Sequence, residues 1–296
     1  MSKPTFSFEF FPPKTEKAAE VLWASVPELV ALGPKFMTVT YGAGGSTRDG
    51  TIDTIKKKMD MTDIPIGSHL TFINTPKEEL HAYVDGLWEK GITHIVALRG
   101  DMPADLQWPL DTDAEYFQYT SDFVAGLLAW HPFEISVGAY PEKHPDSGSL
   151  DDDIRALKLK CDAGATRALT QFFFDNDVYY RFVDRCDAAG ITTPICPGLL
   201  PIHDFKSMCK FAGRCQANVP DWLHERFEGL EDKPEEARKV AIELLVAQTE
   251  DLAARGAPHL HYYTLNKADI TAQAVEVLRG AQTGKPAAED RRLAKV

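Results

Sequence analysis

The sequence predicts an α/β protein folded as a single-domain (β/α)8 barrel, the TIM-barrel architecture, and three observations carry that prediction. Short β-rich runs alternate with longer segments rich in Ala, Leu, Glu and Lys at helical spacing, the pattern of a parallel sheet covered by helices. The runs number eight, which favours closure into a barrel over an open doubly wound sheet. Gly33, Gly91, Gly164, Gly190 and Gly256 each fall where a helix should end before the next strand.

The first strand is expected over Thr5 to Phe11. Alternation puts Phe6, Phe8 and Phe10 on a face toward the helices and turns Ser7 and Glu9 into the barrel. The helix after it, near Thr15 to Leu32, contains Pro27, which should kink or interrupt it. Strands then follow near Lys35 to Tyr41, Ile66 to Phe72, His94 to Gly100, Glu134 to Tyr140, Arg167 to Phe174, Pro194 to Leu200 and His259 to Leu265. The helices between them are expected near Thr47 to Met59, Pro76 to Lys90, Asp113 to Trp130, Leu150 to Asp162, Asn176 to Ala188, His203 to Gly213 and Pro234 to Arg255, with a last one from Lys267 to Arg279. The longest irregular stretches, Asp101 to Asp113 and Pro141 to Ser149, follow strand C-termini, the end where barrel enzymes build their sites. The barrel is expected to span residues 1–282, and the polar tail 283–296 to fray.

Composition narrows the function classes. A chain of 296 residues, 44% hydrophobic and 26% charged, has the apolar material for a large core. A formal charge of −12 argues against a nucleic-acid partner, whose phosphates call for clustered Lys and Arg. The five cysteines form no C-x-x-C pair and have no His at zinc-ligand spacing, so reduced thiols and no metal are expected. The N-terminus lacks the apolar core of a secretory signal, and no run approaches the ~20 apolar residues of a membrane span. These features place the expected protein in the cytoplasm, with no membrane partner.

Glu9 is the sharpest chemical anomaly. An unpaired carboxylate near the mouth of a barrel is costly to ionise, so its pKa should rise and make it a candidate proton donor. The plainer alternative is an inward Glu paired with a barrel Arg or Lys. Arg99 and Asp101 flank Gly100 where the fourth strand gives way to a loop; they could serve a phosphate or a cofactor ring, or form an ion pair at the rim. The second strand ends in Val39-Thr40-Tyr41-Gly42-Ala43-Gly44-Gly45, whose glycines suit a loop against a ligand, although the dinucleotide fingerprint and the P-loop Lys are absent. His69, Tyr140, His144, Gln171 and the pair Tyr262-Tyr263 complete a set of polar or aromatic residues at the C-terminal ends of seven of the eight strands. Each is ordinary alone, and a lone His is more often structural. Their convergence on one face predicts a site for a multi-ring ligand and cofactor chemistry.

The strand wording SFEFFPPK (7 to 14), VTYGAGG (39 to 45), SHLT (68 to 71), HIVALRGD (94 to 101), YPEKHP (140 to 145), LTQFFFD (169 to 175), PGLLP (197 to 201) and HYYTLNK (261 to 267) together resembles the bacterial methylenetetrahydrofolate reductase family, from about Thr5 to Arg279. The resemblance implies a barrel holding FAD noncovalently at its C-terminal face, with NADH or NADPH and the folate substrate taking turns over the flavin in a ping-pong cycle. It implies that Glu9 is the general acid that opens the methylene bridge and that Asp101 sits near the flavin and bonds the pterin. Gln171 would contact folate and nicotinamide, Phe211 would stack on either ligand, and Thr40 would touch the nicotinamide nucleotide. Tyr263 joins the substrate set.

FAD contacts carried over in the same way are Tyr41, Ala43, His69, Arg99, Gly100, Asp101, Thr120, Tyr140, His144, Ser147, Asp153 and Lys160. The chain departs from the family at Ser207, where a folate-binding Gln is usual, and at Lys267, where an Arg is usual; Lys keeps the charge but not the bidentate fork. Ala156 and Leu159 stand where some members have polar flavin contacts. The resemblance also implies a homo-oligomer, a tetramer in bacterial relatives, and no regulatory domain for adenosylmethionine inhibition. Alternatives at this stage are the same enzyme run as a methyltetrahydrofolate oxidant, another flavin-dependent barrel of the proline-dehydrogenase type, and a pterin-binding methyl-transfer barrel without flavin.

Overall fold

The computed structural model describes residues 3–41, 48–102 and 115–280. Eight parallel strands close into a barrel in chain order: β1 (Thr5–Phe10), β2 (Phe36–Val39), β3 (Ile66–Thr71), β4 (His94–Leu98), β5 (Glu134–Ala139), β6 (Arg167–Phe172), β7 (Ile195–Leu199) and β8 (His259–Tyr263). The sheath around them is α1 (Glu16–Ala31), α2 (Arg48–Met59), α3 (Lys77–Glu89), α4 (Thr120–Trp130), α5 (Leu150–Asp162), α6 (Asn176–Ala188), α7 (Phe205–Cys215), α8 (Asp221–Phe227), α9 (Pro234–Ala254) and α10 (Asp269–Leu278). The expected C-terminal tail and the glycine loop holding Ala43 lie outside the described residues.

The main apolar core fills the shell between barrel and helices. Phe8, Phe10, Leu22, Leu29, Met37, Phe72 and Phe123 are fully buried there, each side chain contributing roughly 1.5–3 kcal/mol of burial. The expected outward face of β1 is therefore observed. The expected helix-ending glycines, from Gly33 to Gly256, all have positive φ, between 74° and 114°.

Four features differ from expectation for visible reasons. α1 runs through Pro27 without interruption, with Pro27 on its exposed side, where its ring meets no packed neighbour helix among the described residues. α4 begins at Thr120 rather than Asp113. The Glu115 carbonyl accepts from the Lys77 amide, and the Tyr119 amide donates to Asp122 Oδ2 at 3.3 Å. α10 begins at Asp269 because Leu265 and Asn266 have φ of 51° and 60°, and the Asn266 side chain bridges the backbone N–H and C=O of Phe11. α8 was not anticipated; its seven residues offer too little periodicity to stand out, and it is fixed by Phe227 stacking on Phe205 at 4.5 Å.

The barrel interior is polar along much of its height. Ser7, Thr38, His69, His94, Ser136, His259 and His261 are buried in it, while the apolar cluster inside is small, built on Val96, Leu169 and Cys196. Gly67 makes room for this filling: a Cβ there would lie 2.9 Å from the His94 ring.

Lys58 on α2 is fully buried, its Nζ 3.2 Å from the Phe10 ring centroid and without a hydrogen-bond partner among the described residues. Burial pushes its ammonium down to about 6. The folded pKa lies below the unfolded value of 10.5, so between those limits the unfolded chain binds the extra proton and stability rises with pH. Lys58→Met is therefore expected to stabilise the protein by about 1–4 kcal/mol at pH 7, with the gain shrinking by pH 10. Urea unfolding at both pH values checks this, and an equal gain at both would contradict it.

Candidate active site

The C-terminal ends of β1 and β8 place Glu9 opposite Tyr263 in register. Glu9 Oε2 lies 3.2 Å from His69 Nε2 and 3.5 Å from His261 Nε2, with the Glu9 side chain 17% exposed. Burial alone would raise this carboxyl, but His69 and His261 outweigh it and bring it down to about 2. The expectation of a raised pKa is thus corrected for the ligand-free site: alternation showed that Glu9 points inward, not that two imidazoles meet it. Nor is its partner an Arg or Lys. Arg167, on the same inner surface, pairs instead with Glu134 at the far end of the barrel.

Beside the mouth, a groove of about 660 Å³ runs between the ends of β4 and β5 and the helices α4 and α5. That volume lies within the range of small-molecule and cofactor sites. Glu9 does not line it; the groove and the mouth are adjoining parts of the same face. Arg99, Thr120, Tyr140, His144, Ser147, Asp153 and Lys160, all named from sequence, line the groove, and so do Ala156 and Leu159.

Its walls are held by a network centred on the N-terminus of α5. Asp153 accepts from the His144 amide and from the Ser147 hydroxyl, the latter at 2.5 Å. Lys143 donates to the Ser147 carbonyl at 2.7 Å. Lys160 Nζ donates to the Gly138 carbonyl at 2.5 Å, and burial lowers its ammonium to about 8. Burial raises the Tyr140 phenol to about 12, while Arg99 works in the opposite direction. The Tyr140 and His144 rings meet edge to face at 4.5 Å.

Arg99 pairs with Asp146 at 2.7 Å, not with Asp101 as the rim alternative supposed. Asp101 is exposed at the mouth. Gly100 has φ of 95°, and a Cβ there would lie 2.8 Å from Ile73 Cγ2, so both backbone and packing require glycine.

The remaining candidates spread around the mouth. The Thr40 hydroxyl is buried and has no hydrogen-bond partner among the described residues. Tyr41 stands next to it, its ring 6.0 Å from that of Tyr83. Gln171 and Cys215 share the wall of a small pocket beside Tyr140. Phe211 is 36% exposed and stacks on Phe172 at 5.4 Å. The β6–β7 register slips between Leu169 and Phe172, and within the slip the Thr170 carbonyl accepts from the Tyr263 hydroxyl at 2.6 Å. Ser207 and Lys267 are both exposed; Asp204 caps α7, its Oδ1 accepting from the Ser207 amide at 2.7 Å.

Sequence reasoning missed three participants. His261 was quoted within a motif but given no role, although His259, His261 and Tyr263 share one face of β8 by simple alternation. Asp146, which fixes Arg99, and Lys143, which ties the loop before α5, lie in a segment whose conformation no periodicity describes. Among the described residues no group of three metal-ligating side chains comes together, and no helix is long and apolar enough to cross a membrane. All five cysteines are unpaired.

Comparison with known proteins agrees with the strand motifs. The family profile described as "Methylenetetrahydrofolate reductase" matches residues 1–279. The chain is 43% identical over 265 residues to the 5,10-methylenetetrahydrofolate reductase of Pectobacterium carotovorum subsp. carotovorum, covering 90% of this chain and 87% of that protein. It is 35% identical over 275 residues to "Methylenetetrahydrofolate reductase (NADH) 1" of Zea mays, covering 89% of this chain and 46% of the maize protein. Among solved structures, an uncharacterized protein from Clostridium thermocellum that binds two copies of 5-methyl-5,6,7,8-tetrahydrofolic acid superposes with a TM-score of 0.64 at 16% identity, covering 95% of this chain and 97% of that one. At that identity the likeness concerns the fold.

Proposed function

The chain belongs to the methylenetetrahydrofolate reductase family, and from that premise we propose that it reduces 5,10-methylenetetrahydrofolate to 5-methyltetrahydrofolate with NADH or NADPH, in a ping-pong cycle through noncovalently bound FAD. The observation that carries this reading is a carboxylate, Glu9, set at a barrel mouth that adjoins a groove of about 660 Å³. The maize relative's name specifies NADH, and the Clostridium neighbour's ligand is a folate; both fit the proposed pair of substrates. A homo-oligomer in the cytoplasm goes with the same reading, and unpaired thiols suit a reducing compartment.

The groove residues fit a flavin dinucleotide. Arg99 offers a cation, Tyr140 and Phe182 offer apolar ring faces, and Thr120, Ser147 and Lys160 offer polar contacts. His69, Tyr41, Gly100, His144, Asp153 and Asp101 complete the proposed FAD set. The Thr40 hydroxyl, without a partner among the described residues, gives a ligand at the mouth a hydrogen-bonding group already desolvated. When bound, FAD supplies hydride relay from the nicotinamide nucleotide to the folate carbon.

The protein's own work is protonic and positional. The folate can accept hydride at its bridging carbon only after one C–N bond opens, and the departing nitrogen then needs a proton. Glu9 supplies it. In the ligand-free site Glu9 is ionised; a flat ligand over the mouth strips the water left to a 17% exposed side chain, and that desolvation raises its proton affinity. Gln171 and Phe211 orient the ligand by hydrogen bond and stacking, Tyr263 walls the mouth, and Asp101 bonds the pterin. Ser207 and Lys267 hold the outer part of the folate.

Turnover with methylenetetrahydrofolate, FAD and each nicotinamide nucleotide tests the reading: 5-methyltetrahydrofolate should accumulate one for one with nucleotide oxidised. Absence of that product with both nucleotides would overturn it. Asp101→Asn should also make the flavin easier to reduce, because removing a negative charge relieves its opposition to a reduced anionic ring. A potentiometric titration in which the midpoint stays put or falls would refute that placement.

A further inference from the structure

Below Glu9 the barrel interior contains a continuous hydrogen-bonded file along β1 and β8. Glu9 Oε2 faces His261 Nε2 at 3.5 Å, His261 Nδ1 meets Ser7 Oγ at 2.6 Å, Ser7 Oγ meets His259 Nε2 at 2.7 Å, and His259 Nδ1 meets Thr5 Oγ1 at 2.7 Å. Ser7 and His261 are fully buried and His259 is 6% exposed, whereas Thr5 is exposed at the opposite, N-terminal face of the barrel. The file arises because residues two apart on a strand share a face, and β1 and β8 are in register at Thr5 with His259 and at Ser7 with His261.

We propose that this file is a proton relay that recharges Glu9 from solvent on the far side of the barrel while ligands cover the mouth. The inference rests on the assigned role of Glu9 as the acid. Its direction follows from donor and acceptor counting. A carboxylate only accepts, so His261 Nε2 carries the hydrogen and His261 Nδ1 must accept from the Ser7 hydroxyl. Ser7 Oγ then accepts from His259 Nε2–H, which leaves His259 Nδ1 to accept from the Thr5 hydroxyl. Every hydrogen points toward Glu9. In one delivery water gives a proton to Thr5 Oγ1, each group passes its own hydrogen one link onward, and one proton arrives at Glu9 Oε2; no electrons move. The spent file holds both rings as Nδ1–H; once the mouth reopens, a proton from solvent there enters at His261 Nε2, the hops run in reverse, and Thr5 Oγ1 releases one proton to water, which restores the first tautomers.

The surroundings keep both rings neutral, as such a relay requires. Burial lowers the His259 imidazole to about 3, and burial also lowers His261 despite the nearby Glu9 carboxylate. The groups facing the file are His69 beside Glu9, Arg167 and His94 across the interior, the Phe36 ring stacked on His259 at 5.2 Å, and the Tyr263 ring edge-on to His261 at 5.2 Å. Glu9–His261 is the longest link, of the kind that tightens when a catalytic complex forms.

Two measurements on the full-length protein test the relay. Imidazole ¹⁵N spectra near pH 7 should give both His259 and His261 as neutral Nε2–H tautomers, and Ser7→Ala should release His259 from that single form. A ring found as the Nδ1–H tautomer or as the cation overturns the proposal, and this readout needs no turnover, so it stands even if the proposed reaction fails. In single turnovers, Ser7→Ala should slow methylenetetrahydrofolate reduction about tenfold or more and leave flavin reduction by nicotinamide nucleotide unchanged. Thr5→Val, at the exposed end, should slow the same step with an unaltered fold. If both variants reduce the folate at the wild-type rate with a wild-type pH profile, protons reach Glu9 through the mouth and the relay is refuted.

Discussion

Glu9→Gln is expected to slow reduction of methylenetetrahydrofolate by about 10³-fold, the scale of a lost general acid, while NADH or NADPH still reduces the flavin within about threefold of the wild-type rate. The amide keeps the shape of the side chain and can still accept from His69 and His261, so the barrel mouth stays built. What it loses is a transferable proton. Hydride transfer from a nicotinamide needs none, whereas cleavage of the folate C–N bond does. The two half-reactions, followed separately in single turnovers, discriminate catalytic from structural roles. Equal slowing of both would make Glu9 a structural residue held by two histidines and nothing more.

Gly198→Ala is the substitution with the largest expected cost in stability, about 3 kcal/mol or more, at the upper end of overpacking effects. Gly198 sits in the PGLLP segment of β7, and its amide donates to the Thr170 hydroxyl at 2.8 Å. A Cβ there would press into the Thr170 carbonyl oxygen and into the Tyr263 ring. Neither can yield easily, since the Tyr263 hydroxyl is bonded to that same carbonyl at 2.6 Å. The glycine thus lets Tyr263 lie across β7 and wall the mouth beside Glu9. Urea unfolding of the variant should give a soluble protein of much reduced stability or no folded protein; a midpoint equal to wild type would contradict this packing.

Most of the barrel was legible because its information is periodic. Phe6, Phe8 and Phe10 declare one face of β1, and Ser7 and Glu9 the other. Helices closed by glycine were bounded to within a residue or two, and α5 and α6 run over the expected residues. Where partners distant in sequence decide, the reading lost accuracy. α4 starts late because Glu115 is claimed by the backbone of α3, and α10 starts late because Asn266 is claimed by Phe11.

The site divides in the same way. Arg99, Tyr140, His144, Asp153 and Lys160 were named from strand ends and family wording, and they line one groove. Their pairing was not readable: Arg99 meets Asp146 rather than Asp101. The protonation of Glu9 was misjudged for the same reason. Burial was inferable from its position, but His69 and His261 converge on it from β3 and β8, and only the closure of the barrel brings those strands around it.

The central claim is that one flavin at this mouth serves a nicotinamide nucleotide and a folate in turn. Its most direct test is anaerobic rapid-mixing absorbance on the purified wild-type chain. The account predicts a flavin band at about 450 nm that NADH or NADPH bleaches and that methylenetetrahydrofolate alone then restores, with one 5-methyltetrahydrofolate formed per flavin. A colourless protein that cannot be reconstituted with FAD, or a bleached flavin that the folate fails to reoxidise, would contradict it.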